Sequence, residues 1–214
     1  ETVGVFQLES SGMRDLVRRV DITHVDHLTA MIALYRPGPM TMLDPYVDRK
    51  LGRVPVEYEH ALLEPILEET YGVMVYQEQV QRASNVLAGF SLGQGDVLRR
   101  AMGKKKAEEM KALKEDFVKG CMETNGIASA KAANIFDTLE EFAGYGFNKS
   151  HSAAYAIICY QTAYLKANYT AEFMSALLSC DIGNSDKLNI FINDGTPVMA
   201  RTHQVSMLCL IAVP

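Results

Sequence analysis

The chain has 214 residues, of which 48% are hydrophobic and 22% are charged, so it can bury a sizeable core and is not globally disordered. Its formal charge of −5 excludes a protein that coats nucleic acid over its whole surface, although a local basic patch remains compatible with phosphate binding. No stretch approaches the roughly eighteen apolar residues of a membrane span. The four cysteines form no Cys-x-x-Cys pair, so we expect no metal cluster, reduced thiols and a cytoplasmic location.

The first part of the chain is predicted to contain a short strand and two helices. Residues 3–8 alternate loosely in hydropathy, as strands do, whereas residues 13–20 and 25–35 have helical spacing. The motif Arg36-Pro-Gly-Pro ends the second helix, because proline lacks an amide donor and disfavours helical backbone in the residue before it. Residues 46–56 are polar, include a glycine and a proline, and are predicted to be a loop.

The next part is predicted to contain two further helices. Residues 62–69 form a short one, and residues 77–87 form a longer one. Between them, residues 72–77 are either a brief buried strand or the entry to the helix, and the pattern does not decide. Gly89, Gly93 and Gly95 are expected to break the helical run.

The second half has clearer helical spacing. Two helices are indicated by apolar residues three or four apart: Met110, Leu113, Phe117 and Cys121 in the first, and Ile135, Leu139 and Phe142 in the second. A third helix begins with Ser150 or Ser152 as its cap and ends near residue 168; since it is apolar nearly all round, we expect it to be buried. A fourth runs from Thr170 to about Cys180. The predicted fold is therefore mainly α, with a few short strands near the N-terminus.

The most concentrated charge lies in the segment Leu98-Arg-Arg-Ala-Met-Gly-Lys-Lys-Lys. Five cations fall within eight residues that include no acid, although the chain as a whole is acidic. Guanidinium groups match phosphate oxygens in pairs, and lysines attract the same polyanion as point charges. The segment is not a Walker loop, because its glycines are wrongly spaced and Lys104 is followed by Lys105. A phosphate-binding cluster and a solvated charge run both remain open.

A second candidate segment is Gly144-Tyr-Gly-Phe-Asn-Lys-Ser-His-Ser. It precedes a helix whose first turn offers unpaired amides and a positive dipole end, which together favour an anion, and Lys149 adds charge there. Tyr145, Phe147 and His151 supply flat rings that can stack on a base or contact a sugar. The alternative is an ordinary helix start with a capping serine.

Two further segments are weaker candidates for a binding site, and a motif of paired carboxylates is absent from the sequence. The motifs Tyr35-Arg-Pro-Gly-Pro and Tyr76-Gln-Glu-Gln combine an aromatic ring with polar groups, and we assign both a structural role. Two-metal polymerisation requires paired carboxylates, and the chain contains no Asp-x-Asp.

Six motifs in order resemble the C-family replicative DNA polymerases of bacteria, over residues 1 to about 190. They are Val5-Phe-Gln-Leu-Glu-Ser, Ala33-Leu-Tyr-Arg-Pro-Gly-Pro-Met, Thr70-Tyr-Gly-Val-Met-Val-Tyr-Gln-Glu-Gln, Leu98-Arg-Arg-Ala-Met-Gly-Lys-Lys-Lys, Phe142-Ala-Gly-Tyr-Gly-Phe-Asn-Lys-Ser-His-Ser-Ala-Ala-Tyr, and Tyr160-Gln-Thr-Ala-Tyr-Leu-Lys-Ala with the Ala171-Glu-Phe-Met that follows it.

The resemblance implies that this chain is the fingers region of a DNA-directed DNA polymerase acting in chromosomal replication. It implies that Arg99 and Arg100 hold the triphosphate of the incoming dNTP, and that Tyr145 and His151 pack against the nucleotide. Lys104 and Lys149 are further candidates for phosphate contact, which completes the predicted site.

The resemblance also implies what lies outside the chain. The palm aspartates that hold Mg²⁺ lie before Glu1, so we expect no catalytic or metal-binding residue here and no activity of the isolated fragment. The implied partners are the DNA template-primer and, for the full-length protein, the sliding clamp and other replicase subunits, with no membrane.

Three regions are predicted on this basis. Residues 1–40 join the palm to the fingers, residues 41–195 form the helical fingers domain with the triphosphate site, and residues 196–214 form an aberrant tail. The tail departs from the family's pattern, has little periodicity and ends in an apolar run, so we expect it to be poorly packed.

Two alternatives to the polymerase fragment remain at this point. One is a non-enzymatic helical module that binds nucleic-acid backbone through residues 99–106. The other is a structural helical domain for protein contacts, in which the basic run is merely solvated.

Overall fold

The computed structural model describes residues 2–104, 107–143 and 145–199 and confirms a mainly α fold. Its helices in chain order are α1 (Ser11–Val20), α2 (Val25–Leu34), α3 (Leu43–Lys50), α4 (Glu64–Leu67), α5 (Gln77–Ala88), α6 (Leu92–Lys104), α7 (Ala107–Asn125), α8 (Ser129–Ala143), α9 (Lys149–Asn168), α10 (Thr170–Cys180) and α11 (Ser185–Met199). Short 3₁₀ segments occupy Pro39–Met42, Ala61–Leu63 and Glu68–Thr70.

The short strands predicted near the N-terminus are not confirmed in the part of the chain that the structure describes. Residues 3–7 form turns, and the amide of Leu8 donates to the carbonyl of Val5 over 3.0 Å. Gly4 and Gln7 have φ angles of 74° and 65°, which lie in the left-handed region. Residues in an extended strand do not adopt that conformation, so the segment does not form a strand although its hydropathy alternates.

The loop predicted over residues 46–56 is wrong in its first half, where α3 extends to Lys50. Pro45 falls in the first turn of α3, where its missing amide donor costs nothing because no partner exists there. Tyr46 and Val47 are fully buried. Burial of one face therefore outweighs the polar composition of the segment.

The expected helix break is confirmed at Gly89, which ends α5 with a φ of 69°, but it is wrong at Gly93 and Gly95, because α6 passes through both. A Cβ atom at Gly95 would lie only 3.3 Å from Ser84 Oγ on α5. The missing side chain therefore lets α6 approach α5 closely, and that packing compensates for the lower helix propensity of glycine.

The chain separates into two compact units. The second unit, Asp26–Ala153, contains α2 to α8 and the start of α9. Its core is formed by α4 to α8, where the ring of Phe117 lies 6.0 Å from that of Phe90 and 5.4 Å from that of Phe136. All of the predicted nucleotide-site residues belong to this unit. The functional division predicted at residues 40 and 195 stays a prediction.

The first unit joins the chain up to Val25 with the chain from Ala154 onward. Within it, α9 packs along one face on the N-terminal turns: the amide of Phe6 donates to Thr162 Oγ1 over 3.1 Å, and Cys159 is fully buried. Ile157 and Tyr160 are about half exposed, at 52% and 51%. The expectation that α9 is buried all round is therefore wrong, because its apolar residues encircle a helix that the described residues cover on one side.

The last described helix, α11, overlaps the predicted tail. Its backbone remains helical to Met199, since helix propagation beyond a packed turn is easier than nucleation and Phe191 is buried. Residues 200–214 lie outside the described residues. Lys166 of α9 donates to Asp194 of α11 over 2.6 Å and to the carbonyl of Val3 over 2.7 Å. None of the described helices combines the length and apolar character required to cross a membrane.

Candidate functional site

The predicted arginine pair lies on α6 and is held by one carboxylate. Arg99 donates from Nε and Nη2 to Asp96 Oδ1 over 3.0 and 2.8 Å, and Arg100 Nη2 lies 2.8 Å from Asp96 Oδ2. Residues three and four apart share a helix face, which explains the double pairing. The hydrogen bond from Arg99 lowers the pKa of Asp96 below its ordinary value, and the charge of Arg100 adds to the effect.

The two arginines differ in how much of each side chain solvent can reach. The side chain of Arg99 is 26% exposed, whereas that of Arg100 is 67% exposed. Arg100 can therefore meet an anion from solvent without rearrangement, whereas Arg99 is a partly enclosed guanidinium whose direction is set by its neighbours.

Gln77, the first residue of α5, connects Arg99 with the second candidate segment. Its side-chain oxygen accepts from Arg99 Nη1 over 3.3 Å, and its side-chain amide donates to the carbonyl of Gly146 over 3.0 Å. The backbone amide of Gln77 donates to the carbonyl of Phe147 over 2.9 Å. The basic segment and residues 145–148, here called the aromatic turn, therefore meet at one side chain.

The aromatic turn is also fixed by backbone pairing. Phe147 forms a single parallel β-bridge with Tyr76, and its amide donates to the carbonyl of Val75 over 3.1 Å. A Cβ atom at Gly146 would lie 3.2 Å from Gln77 Cγ, so a glycine allows this close approach.

The motif Tyr35-Arg-Pro-Gly-Pro supports the turn from the other side. The guanidinium of Arg36 donates to the carbonyl of Tyr145 and lies 4.8 Å from the ring centroid of Phe147, a cation–π contact. Gly38 has a φ of 107°, and a Cβ atom there would lie 2.6 Å from the ring of Tyr145. A side chain at residue 38 would therefore displace the Tyr145 ring, which is 44% exposed.

His151 lies in the first turn of α9 with its ring beside the aromatic turn. The ring centroids of His151 and Phe147 are 5.5 Å apart, and the side chain of His151 is exposed. Its amide donates to Asn148 Oδ1 over 2.9 Å, so Asn148 caps the helix. The predicted serine cap is wrong: Ser152 is buried and its hydroxyl donates back to the carbonyl of Lys149.

The anion expected at the start of α9 is supplied by the chain itself. The carboxylate of Glu78 accepts from the amide of Lys149 over 3.0 and 3.2 Å and from Asn148 Nδ2 over 3.0 Å. The side chain of Lys149 forms an ion pair with Glu69 and lies 5.5 Å from the ring centroid of Tyr76. An external phosphate would have to compete with both carboxylates here.

The remaining predicted cations are not placed by the structure. Lys104 is the last described residue of α6, and its side chain lies outside the described part, as do Lys105 and Lys106. Within the described residues, no three His, Cys, Asp or Glu side chains come together in a way that could hold a metal ion.

Two cavities of the second unit lie away from the arginine pair, which lines neither of them. One of about 370 Å³ lies between α3, α4 and α8 and is lined by residues such as Arg49, Tyr58, Leu67 and Phe142. A smaller hollow of about 40 Å³ borders Gly38 and the ring of Tyr145. The contacts between its residues, rather than an enclosed volume, therefore define the surface around Arg99, Arg100 and the aromatic turn.

Sequence reasoning missed four residues that build this surface: Asp96, Gln77, Glu78 and Arg36. The spacing of Asp96 from the arginine pair was a usable signal, because an acid three or four residues before a base pairs with it on a helix. Gln77, Glu78 and Arg36 belong to the two motifs that were given a structural role. Their contacts with the aromatic turn join segments far apart in the chain, and no local pattern reports such contacts.

Sequence comparisons with known proteins identify relatives of this chain. The family model for the bacterial DNA polymerase III alpha subunit finger domain matches residues 1–125. The DNA polymerase III subunit alpha of Caulobacter vibrioides is 56% identical over 194 residues, which are 91% of this chain and 17% of that protein. The corresponding proteins of Rickettsia prowazekii and Pseudomonas aeruginosa are 55% and 50% identical, over 90% and 91% of this chain and 16% and 17% of their own length. The chain thus spans about a sixth of these relatives' length.

Proposed function

Since the chain belongs to the family of bacterial DNA polymerase III alpha subunit finger domains, we propose that it is the nucleotide-binding part of a DNA-directed DNA polymerase that acts in chromosomal replication. The family resemblance predicted from its six motifs is confirmed. The chain spans about 17% of the length of the relatives it matches, so the polymerase activity, the substrates and the partners are proposed for it.

In this proposal, Arg99 and Arg100 bind the triphosphate of the incoming dNTP. The observation that carries it is the hydrogen-bond path from Arg99 through Gln77 to the aromatic turn. A nucleoside triphosphate carries a polyanionic phosphate chain and a planar base. This path joins a guanidinium pair to a group of aromatic rings, which are the side chains suited to those two parts. Guanidinium groups can then stabilise the charge that develops on the leaving pyrophosphate.

The other predicted site residues take subordinate roles. Tyr145 and His151 contact the base or sugar through their exposed rings. Lys104 and Lys149 contact phosphate, and Lys149 must first leave its ion pair with Glu69. Mg²⁺ supplies the activation of the primer hydroxyl and would be held by carboxylates outside this chain, which contains no Asp-x-Asp. Template-primer DNA, the sliding clamp, other replicase subunits and a cytoplasmic location complete the proposal.

A titration of dATP against the chain tests the triphosphate assignment. We expect the double variant Arg99→Ala/Arg100→Ala to weaken binding at least about tenfold, since each charged hydrogen bond lost contributes roughly 1.5–3 kcal/mol. The matched control is Arg18→Ala/Arg19→Ala, which removes another adjacent pair from the last turn of α1 and should leave the affinity unchanged.

Two outcomes would count against the triphosphate assignment. Equal affinity of the Arg99→Ala/Arg100→Ala variant and the parent chain would remove it. Binding of duplex DNA with a steep salt dependence, without binding of free nucleotide, would favour the helical module that binds nucleic-acid backbone instead.

A further inference from the structure

Gln77 uses both polar atoms of its side chain on two different segments. The oxygen accepts from Arg99 Nη1 at 3.3 Å, and the nitrogen donates to the carbonyl of Gly146 at 3.0 Å. A side-chain amide combines a donor and an acceptor, whereas a carboxylate only accepts and an aliphatic side chain does neither. The backbone amide of Gln77 binds the carbonyl of Phe147 separately, so the side chain can be changed without removing that bond.

The three donors of Arg99 that make contacts are therefore divided between two partners. Nε and Nη2 face Asp96 on the same helix, α6, while Nη1 faces Gln77 on the preceding helix, α5. Asp96 fixes the guanidinium relative to α6, and Gln77 relates it to the aromatic turn. A side chain that is already held in its binding geometry loses less conformational entropy when a ligand arrives.

We propose that Gln77 is a positioning residue that couples Arg99 to the aromatic turn. The contact of Arg99 with phosphate and the contacts of the aromatic rings with the base or sugar then form together. The proposal rests on the proposed function, because it presumes that Arg99 binds phosphate. Gln77 itself makes no contact with the reacting atoms in this account. Its effect is on where Arg99 and the carbonyl of Gly146 are held.

The test is a double-mutant cycle in the full-length polymerase subunit that carries this segment, read out by steady-state primer extension. Gln77→Met keeps the length of the side chain and removes both polar atoms. We expect it to raise KM for dNTP about tenfold with a smaller change in kcat, and to have little further effect when Arg99→Ala is already present. The control Gln94→Met removes another glutamine that contacts backbone, at the start of α6, and should leave KM unchanged.

A second variant separates the coupling from a general loss of structure. Gln77→Glu keeps the acceptor for Arg99 and removes the donor for the carbonyl of Gly146, and its carboxylate also competes with the triphosphate for Arg99, so we expect an increase in KM of at least about threefold. If Gln77→Met fails to fold, as judged by its melting temperature, Gln77→Glu decides the matter. An unchanged KM in a folded Gln77 variant, or strictly additive effects with Arg99→Ala, would overturn the coupling. An unchanged KM in Arg99→Ala alone would instead overturn the proposed function.

Discussion

At the scale of single residues, the charge of the arginine pair on α6 is balanced by one carboxylate. Arg99 and Arg100 stand out as a basic pair, and like charges gathered on one helix require a compensating anion. That anion is Asp96, an internal carboxylate that pairs with both arginines. The partner was within reach of sequence reasoning, whereas the contact of Gln77 with Gly146 required knowledge of the fold.

The lowered pKa of Asp96 predicts a dependence of stability on pH. An acid whose folded pKa lies below its unfolded value stabilises the fold above the unfolded value, near 3.9, and this contribution is lost as pH falls through the folded pKa. The variant Asp96→Asn should therefore unfold at lower urea concentration than the parent at pH 7. The difference should begin to shrink below about pH 4, where the unfolded chain binds a proton at this carboxyl, and it should disappear only below the lower pKa of the folded state.

The control for the Asp96 experiment is Asp15→Asn. Asp15 pairs with Arg18 on the exposed surface of α1, with side-chain exposures of 70% and 76%. Exposed pairs of this kind contribute little to stability, so the urea midpoint should hardly change at any pH. A gap between Asp96→Asn and the parent that is the same at pH 3 and pH 7 would contradict the assignment of the ion pair.

At the scale of helices, hydrophobic spacing predicted most of the elements and failed where polar composition or glycine was taken to exclude a helix. More than half of α3 lies in a polar segment predicted to be a loop, and α6 contains two glycines, yet both are continuous helices. Helix propensity is a local quantity. The free energy gained by burying one face of a helix exceeds the roughly 1 kcal/mol that a glycine costs. Sequence alone cannot tell a glycine that ends a helix from one that lets two helices approach.

Gly120 provides a test of that distinction. A Cβ atom there would lie 2.3 Å from the carbonyl oxygen of Ala88, so α7 could not keep its contact with α5. We expect Gly120→Ala to lower the free energy of unfolding by about 1–3 kcal/mol, measured by urea denaturation.

The matched control is Gly93→Ala in α6. The nearest atom to a Cβ at Gly93 is Ser91 Oγ at 4.0 Å, so the added methyl meets no obstacle. This variant should be neutral or stabilising by about 0.5–1 kcal/mol, because alanine loses less backbone entropy than glycine in a helix. Equal destabilisation by both substitutions would show that helix packing is not the reason for Gly120.

At the scale of the whole molecule, the family and the helical class could be read from the sequence, and the burial of α9 could not. Its residues are apolar on every side, which is the pattern of a fully buried helix. Ile157, Ile158 and Tyr160 are nevertheless 43–52% exposed among the described residues. Composition reports how much apolar surface a helix has, and only the packed fold reports which side of it is covered.

The proposed function places the catalytic carboxylates in another part of the polymerase and therefore predicts that this chain alone is inactive. With primed template, dNTPs and Mg²⁺, the chain should give no primer extension, since catalysis by two metal ions requires those carboxylates. The full-length subunit assayed in the same buffer is the positive control. Extension that co-purifies with the chain and disappears in Arg99→Ala/Arg100→Ala would overturn the assignment of the chain as fingers alone.

The contacts around the aromatic turn join residues that are distant in the chain. Gln77 and Gly146 are 69 positions apart, Glu78 and Lys149 are 71 apart, and Arg36 and Tyr145 are 109 apart. Closing such long loops costs entropy before any contact compensates for it, so non-local contacts tend to form late. During translation, α2 to α8 can leave the ribosome and fold while the site is still open, and it closes only when the start of α9 has emerged.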